Sequence, residues 1–175
     1  EILTSPGPGA VFGPHVRGWN FDGNVLASIA KISFFAYGTL KYGANVAGGS
    51  VDLEPDFDEM VTGAGPGQVF GAHVRGFNYD GATVTSMGQI NAVVFNRQYG
   101  VNVATANLDA DGVTEILAAR GPDPNNAPDV TGLEYGNVAI PLGITAGSTT
   151  RGAVVSGYDL ATTPRDEIVV TAGPA

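Results

Sequence analysis

The residues best suited to chemistry are acidic and crowded. Asn107, Asp109 and Asp111 place side-chain oxygens at alternate positions of a short segment, Gly112 follows, and Glu115 adds a carboxylate at the ninth position. Calcium takes six to eight oxygen ligands in a flexible geometry, and a tight loop of alternating carboxylates can wrap it. Alternation sends the three polar side chains to one side and frees Leu108 to face a core, while the glycine permits a sharp turn. The backbone carbonyl of Val113, at the seventh position, is the expected main-chain ligand. Carboxylates held this close repel one another unless a cation lies between them. An ordinary Asp-Gly surface turn is the alternative reading.

A second acidic segment, Ser50 to Glu59, offers Asp52, Glu54, Asp56 and Asp58; it is one residue longer and carries Pro55 in place of the glycine. Calcium is expected there too, with its ligand geometry left open by these two changes. A third, Asp159 to Glu167, places Arg165 where a cation would be repelled, so no metal is expected in it. Glu1 stands where such a loop would end, as a ligand without its loop.

A different set of polar residues recurs as His15, Arg17 and Trp19 and again as His73, Arg75 and Phe77. A period of two puts each triplet on one face of a strand. Imidazole could act as a general base, but a catalytic centre is usually single, whereas this pattern repeats and becomes Asp129 and Thr131 in a third copy. Packing is the expected role, a repeated ligand pocket is the alternative, and no enzymatic activity is expected. Gly7-Pro8-Gly9 and Gly65-Pro66-Gly67 precede neither a helix nor a Lys-Ser/Thr pair, so they read as turns rather than phosphate cradles. Trp19, Tyr37, Phe77, Tyr79 and Tyr99 read as packing aromatics rather than sugar platforms.

What must position these residues is a repeat. Glu1–Gly23 and Glu59–Gly81 agree at roughly two-thirds of their positions with a spacing of 58, and Tyr42–Ala47 matches Tyr99–Ala104. Further copies begin at Glu115 and Glu167. Periods of this length belong to propellers and solenoids. Each unit holds short runs rich in β-branched and aromatic residues, bounded by Gly, Pro, Asn and Asp, which read as strands. In the first unit they are Ile2–Thr4, Val16–Phe21, Ile29–Tyr37 and Ala44–Val51; in the second, Met60–Thr62, Val74–Tyr79, Ile90–Phe95 and Val101–Leu108. Asp22-Gly23 and Asp80-Gly81 are hairpin signals. The expected fold is all-β, with propeller-like blades of four antiparallel strands over residues 1–58, 59–114 and 115–166, and one extra strand over 167–175.

Twenty-six glycines, 11 prolines and 43% hydrophobic residues suit a β fold with many tight turns and disfavour both collagen and disorder. A net charge of −9 repels nucleic acid, and no apolar run is long enough to insert in a membrane as a helix. Cysteine is absent, which excludes disulfides and thiolate metal sites. Three blades and a strand do not close a ring. Further blades beyond the termini are therefore expected, with self-association of two copies into one ring, or a solenoid-like stack, as alternatives.

The segment Asn107–Glu115, followed by Ile116-Leu117-Ala118 and Gly121-Pro122, resembles the acidic loop and strand of the FG-GAP repeat family. Phe12-Gly13 and Phe70-Gly71, the latter close to Gly65-Pro66-Gly67, add to the likeness, which extends repeat by repeat over essentially the whole chain. The resemblance implies an integrin-α-like β-propeller of the secreted bacterial type, with calcium in its inter-strand loops. It also implies an extracellular, cell-surface or periplasmic location and a role in adhesion, surface scaffolding or the binding of a protein or glycan ligand. A lectin-like glycan-binding propeller and the non-catalytic propeller of a larger secreted enzyme are the competing functions.

Overall fold

The computed structural model describes residues 1–175 apart from 55, 69, 96–97, 147–150 and 174–175. Pro55 of the Ser50–Glu59 loop and the end of the last repeat copy thus lie outside the described residues. Among the described residues there are thirteen strands and no helix. The strands are β1 (Ile2–Thr4), β2 (His15–Phe21), β3 (Leu26–Phe35), β4 (Ala44–Gly49), β5 (Glu59–Ala64), β6 (His73–Tyr79) and β7 (Val84–Val93). They continue with β8 (Val101–Ala106), β9 (Glu115–Arg120), β10 (Asp129–Glu134), β11 (Val138–Thr145), β12 (Ala153–Tyr158) and β13 (Glu167–Ala172). All pairings are antiparallel, in four sheets ordered β1-β2-β3, β4-β5-β6-β7, β8-β9-β10-β11 and β12-β13. The all-β expectation therefore holds.

Sheets and sequence units are out of step by one strand. β4, read from the sequence as the last strand of unit 1–58, pairs with β5 from Ala44↔Ala64 to Gly49↔Glu59 and so opens the second sheet. β8 likewise pairs with β9, and β12 with β13. The unit limits at 58, 114 and 166 consequently fall inside sheets, at the acidic hairpins, and the sheets hold three, four, four and two strands. The physical reason is simple: a repeat fixes a period but not a phase, and a hairpin bonds a strand to its sequence neighbour on either side.

The opening strands of the second, third and fourth sheets stand side by side. Asn45 Nδ2 donates to the Val101 carbonyl at 2.7 Å, Asn102 Nδ2 donates to the Ala153 carbonyl, and Thr105 Oγ1 donates to the Gly48 carbonyl at 2.7 Å. Close approach requires glycine here: a Cβ on Gly63 would lie 2.3 Å from the Val101 carbonyl oxygen. Consecutive sheets then face each other across apolar seams, in a partial propeller-like arrangement. Val16, Ile32, Ala36, Met60 and Phe77 fill the first seam, and Val61, Val74, Ile90, Val103 and Ile116 belong to the second. Leu117, Ala119, Val130, Ala153 and Val155 form the third. Each large aliphatic side chain buried this way contributes roughly 1.5–3 kcal/mol.

The glycine of the His-Val-Arg-Gly motif also has a packing role. β2 and β3 slip register between Arg17 and Gly18, as β6 and β7 do between Arg75 and Gly76, and the extra residues fold an isoleucine over the glycine. A Cβ there would meet Ile32 at 2.8 Å or Ile90 at 2.7 Å. These bulges also break the alternation of polar and apolar residues. That is why β3 and β7 begin at Leu26 and Val84, well before the Ile29 and Ile90 starts expected from pattern.

Candidate metal centre

The β8–β9 hairpin builds the acidic cluster from its own backbone bonds. Asn107 Oδ1 accepts the Ala110 N–H at 2.7 Å, Asp109 Oδ1 accepts that of Asp111 at 3.1 Å, and Asp111 Oδ1 accepts that of Val113 at 2.8 Å. Ala110 and Gly112 take φ of 72° and 92°, which curls the chain round its acidic side chains. Glu115 reaches back from the start of β9, and its Oε2 accepts the Leu108 N–H at 2.6 Å. One carboxylate oxygen each of Asp109, Asp111 and Glu115 then lies within 4.8 Å of the others. The two aspartates are exposed, whereas Glu115 is 3% exposed.

Burial pushes the Glu115 carboxyl above its ordinary value. The Leu108 N–H pulls it down, and the charges of Asp109 and Glu134 push it up again. A buried acid facing two more acids is a place where a proton or a metal ion lowers the energy. The donor set is all oxygen, which suits a hard divalent cation and excludes softer thiolate or imidazole chemistry. Asn107 and Val113 sit at the ends of the same turn and hold its shape through the bonds above. The Asn107 N–H is taken by Asp166 Oδ2 at 2.8 Å, which ties this loop to the next.

The expected second site is less well assembled. Glu54, Asp56 and Asp58 are exposed, Asp52 is 8% exposed, and the described residues of this loop form no group of three converging carboxylates. Asp52 Oδ1 instead accepts the Glu54 N–H at 2.8 Å. The residue that belongs with Asp52 is Glu59. Its Oε2 accepts the Val51 N–H at 3.0 Å, its Oε1 is buried without a partner, and burial followed by the Asp52 charge pushes its carboxyl up. Pattern reading passed over Glu59, although aligning it with Glu115 in the repeat would have found it. In the third loop Glu167 makes the same backbone bonds, to the N–H groups of Leu160 at 2.9 Å and Ala161 at 3.1 Å, with no group of three converging carboxylates around it among the described residues.

The His-Arg-aromatic triplets occupy strand faces as expected, but the two differ in surroundings. His73 Nε2 lies 2.6 Å from Asn91 Oδ1, and Arg75 Nη1 donates to the Ala36 carbonyl at 2.5 Å. The Arg75 guanidinium sits 5.2 Å from the ring centroid of Phe77, which packs on Phe34 at 4.6 Å. Tyr37 donates its hydroxyl to the His73 carbonyl at 2.7 Å, so the whole triplet is built into the first seam. In the first copy His15 stacks on Phe35 and contacts Ser33 Oγ at 3.0 Å, while Arg17 covers Trp19 at 4.6 Å. Trp19 Nε1 donates to Thr4 Oγ1 at 2.8 Å, and on this face Ile2 and Arg17 are exposed and Trp19 is only partly buried. In the third copy the cation comes from the neighbouring strand: Arg120 pairs with Asp129 at 3.1 Å and lies 4.4 Å from the Phe95 ring.

No family model matches the sequence, and no curated protein or solved structure is matched by it either.

Proposed function

We propose that this chain is a calcium-stabilised repeat module of propeller type, acting outside the cytoplasm in binding, adhesion or surface scaffolding. One observation carries the reading: Asp109, Asp111 and Glu115 converge to within 4.8 Å, one of them buried and with a raised carboxyl. The FG-GAP resemblance of Asn107–Glu115 supports it. Calcium bound by these three carboxylates, with the Asn107 side chain and the Val113 carbonyl completing the set, would replace mutual repulsion with attraction and stiffen the hairpin. A weaker second site is proposed at Asp52 and Glu59, with Glu54, Asp56 and Asp58 supplying outer oxygens. No catalytic role belongs to the proposal. A glycan pocket repeated in every sheet is disfavoured, because Arg75 and Phe77 are engaged by Ala36 and Phe34.

Thermal melting tests this. Millimolar calcium should raise the melting temperature of the chelator-stripped chain, and Asp109→Asn with Asp111→Asn should remove most of the rise. Saturation at about 100 times Kd corresponds to about 2.7 kcal/mol. Identical melts in calcium and in chelator would sink the reading.

A further inference from the structure

We propose that the exposed face of the first sheet is a docking surface for the fourth sheet of a second copy of this chain, joined head to tail. The inference stands on how the sheets pack and is independent of the metal.

The molecule supplies its own template. Ile2, Arg17 and Trp19 share one face of the first sheet: Ile2 pairs with Trp19, and Thr4, on the same face, pairs with Arg17. His15 and Phe35 extend that face as a second cross-strand pair. Ile2 is 46% exposed and Phe35 55% exposed. One repeat later the corresponding face is covered. Met60 and Phe77, the counterparts of Ile2 and Trp19, are 3% and 5% exposed because the first sheet packs on them, and Arg75 bonds to that sheet's Ala36 carbonyl. The third sheet repeats the arrangement with Ile116 at 1% exposure and with Arg120 over Phe95. A face of this sequence is therefore one on which another sheet lies.

The complementary surface is on the fourth sheet. Leu3, Val61 and Leu117 are the positions from which each sheet faces the next, and the latter two are fully buried. Their counterpart Val169 is 38% exposed. Asn45 and Asn102 bond to the following sheet, whereas Val154 at the same position is 43% exposed. Val154 and Val169 lie on one face, since Val154 pairs with Thr171 and Ser156 with Val169. Tyr158, 54% exposed, extends it.

Charge favours the same pairing. Residues 1–43 hold three basic and two acidic side chains for a net +1, whereas residues 151–173, which carry the fourth sheet, hold two basic and three acidic for a net −1. The surface around Arg17 meets the slightly acidic fourth sheet of a second copy more favourably than it meets itself. A head-to-tail contact is heterologous, and closing it in both directions gives a ring of two chains.

Sedimentation and light scattering of the full chain in chelator and low salt test this. A particle of twice 17.8 kDa that dissociates on dilution or in high salt is expected. Trp19 is the sole tryptophan, so its emission should shift to the red as the dimer separates. Arg17→Glu with Trp19→Ser breaks the front, and Val154→Asp with Val169→Asp breaks the rear. Each variant should be monomeric alone, yet a mixture should form a dimer through its one intact junction. A wild-type chain that stays monomeric at high concentration, with unchanging Trp19 emission, overturns the proposal. So does a dimer that survives either pair of changes, or a mixture of folded variants that remains monomeric.

Discussion

The 107–115 and 159–167 loops share a scaffold and differ in chemistry. In both, the glutamate that begins the next strand folds back to accept a backbone N–H: Leu108 for Glu115, and Leu160 for Glu167. Around Glu115 stand Asp109 and Asp111; around Glu167 the loop offers Ala161 and Thr163, with Arg165 nearby. The shared glutamate is thus a hairpin brace, and the acidic neighbours decide whether it can also hold a cation. A carboxylate that recurs at every repeat is by itself weak support for a metal.

Removing the brace gives the largest expected difference between the loops. Glu115→Ala leaves the Leu108 N–H without its partner beside a buried strand and should cost about 1–3 kcal/mol even in chelator. Glu167→Ala, in a more exposed hairpin, should cost well under 1 kcal/mol. Denaturant unfolding of both variants checks the order; equal losses would mean that the surroundings of the brace do not matter.

The two triplets allow a second contrast. Arg75 donates to the Ala36 carbonyl in a seam, and its replacement by alanine should cost about 1.5–3 kcal/mol, the range for hydrogen bonds to charged groups. Arg17→Ala, on an exposed face, should stay within about 0.5 kcal/mol under conditions where the chain is monomeric. The same unfolding assay measures both.

A smaller effect separates the buried glutamates from the exposed turn aspartates. Burial raises the Glu59 and Glu115 carboxyls, so the folded chain binds protons more tightly than the unfolded one. In chelator, that contribution favours folding near and below the ordinary value of 4.5, and it declines as pH rises through the raised folded values. Backbone N–H groups lower Asp22 and Asp80 in their turns, so their contribution is present above the ordinary value of 3.8 and is lost as pH falls further. Melting temperature against pH in chelator should therefore fall toward neutrality, and calcium should flatten the fall. A curve unchanged by Glu59→Gln and Glu115→Gln would remove these two groups from the account.

The sequence made the acidic loop legible because its chemistry is local: oxygens at alternate positions and a glycine imply a turn whatever surrounds it. The strands were legible for the same reason. The phase of the sheets was not, since β4 reads equally well as the end of one unit or the start of the next until its bonds to β5 are seen. The bulges that seat Ile32 over Gly18 were hidden because they interrupt the alternation by which strands are recognised. The move of the seam cation from β6, where Arg75 lies, to β9, where Arg120 lies, depends on cross-strand neighbours that no linear pattern displays. The passed-over Glu59 differs from these, since alignment of the repeats alone would have shown it.

Calorimetric titration of calcium into the metal-free chain tests the central claim most directly. Saturable heat, with its tightest phase lost in Asp109→Asn/Asp111→Asn and kept in Glu167→Gln, is expected. A chain that takes up no calcium, or one whose tight phase is untouched by replacing both aspartates, would contradict it.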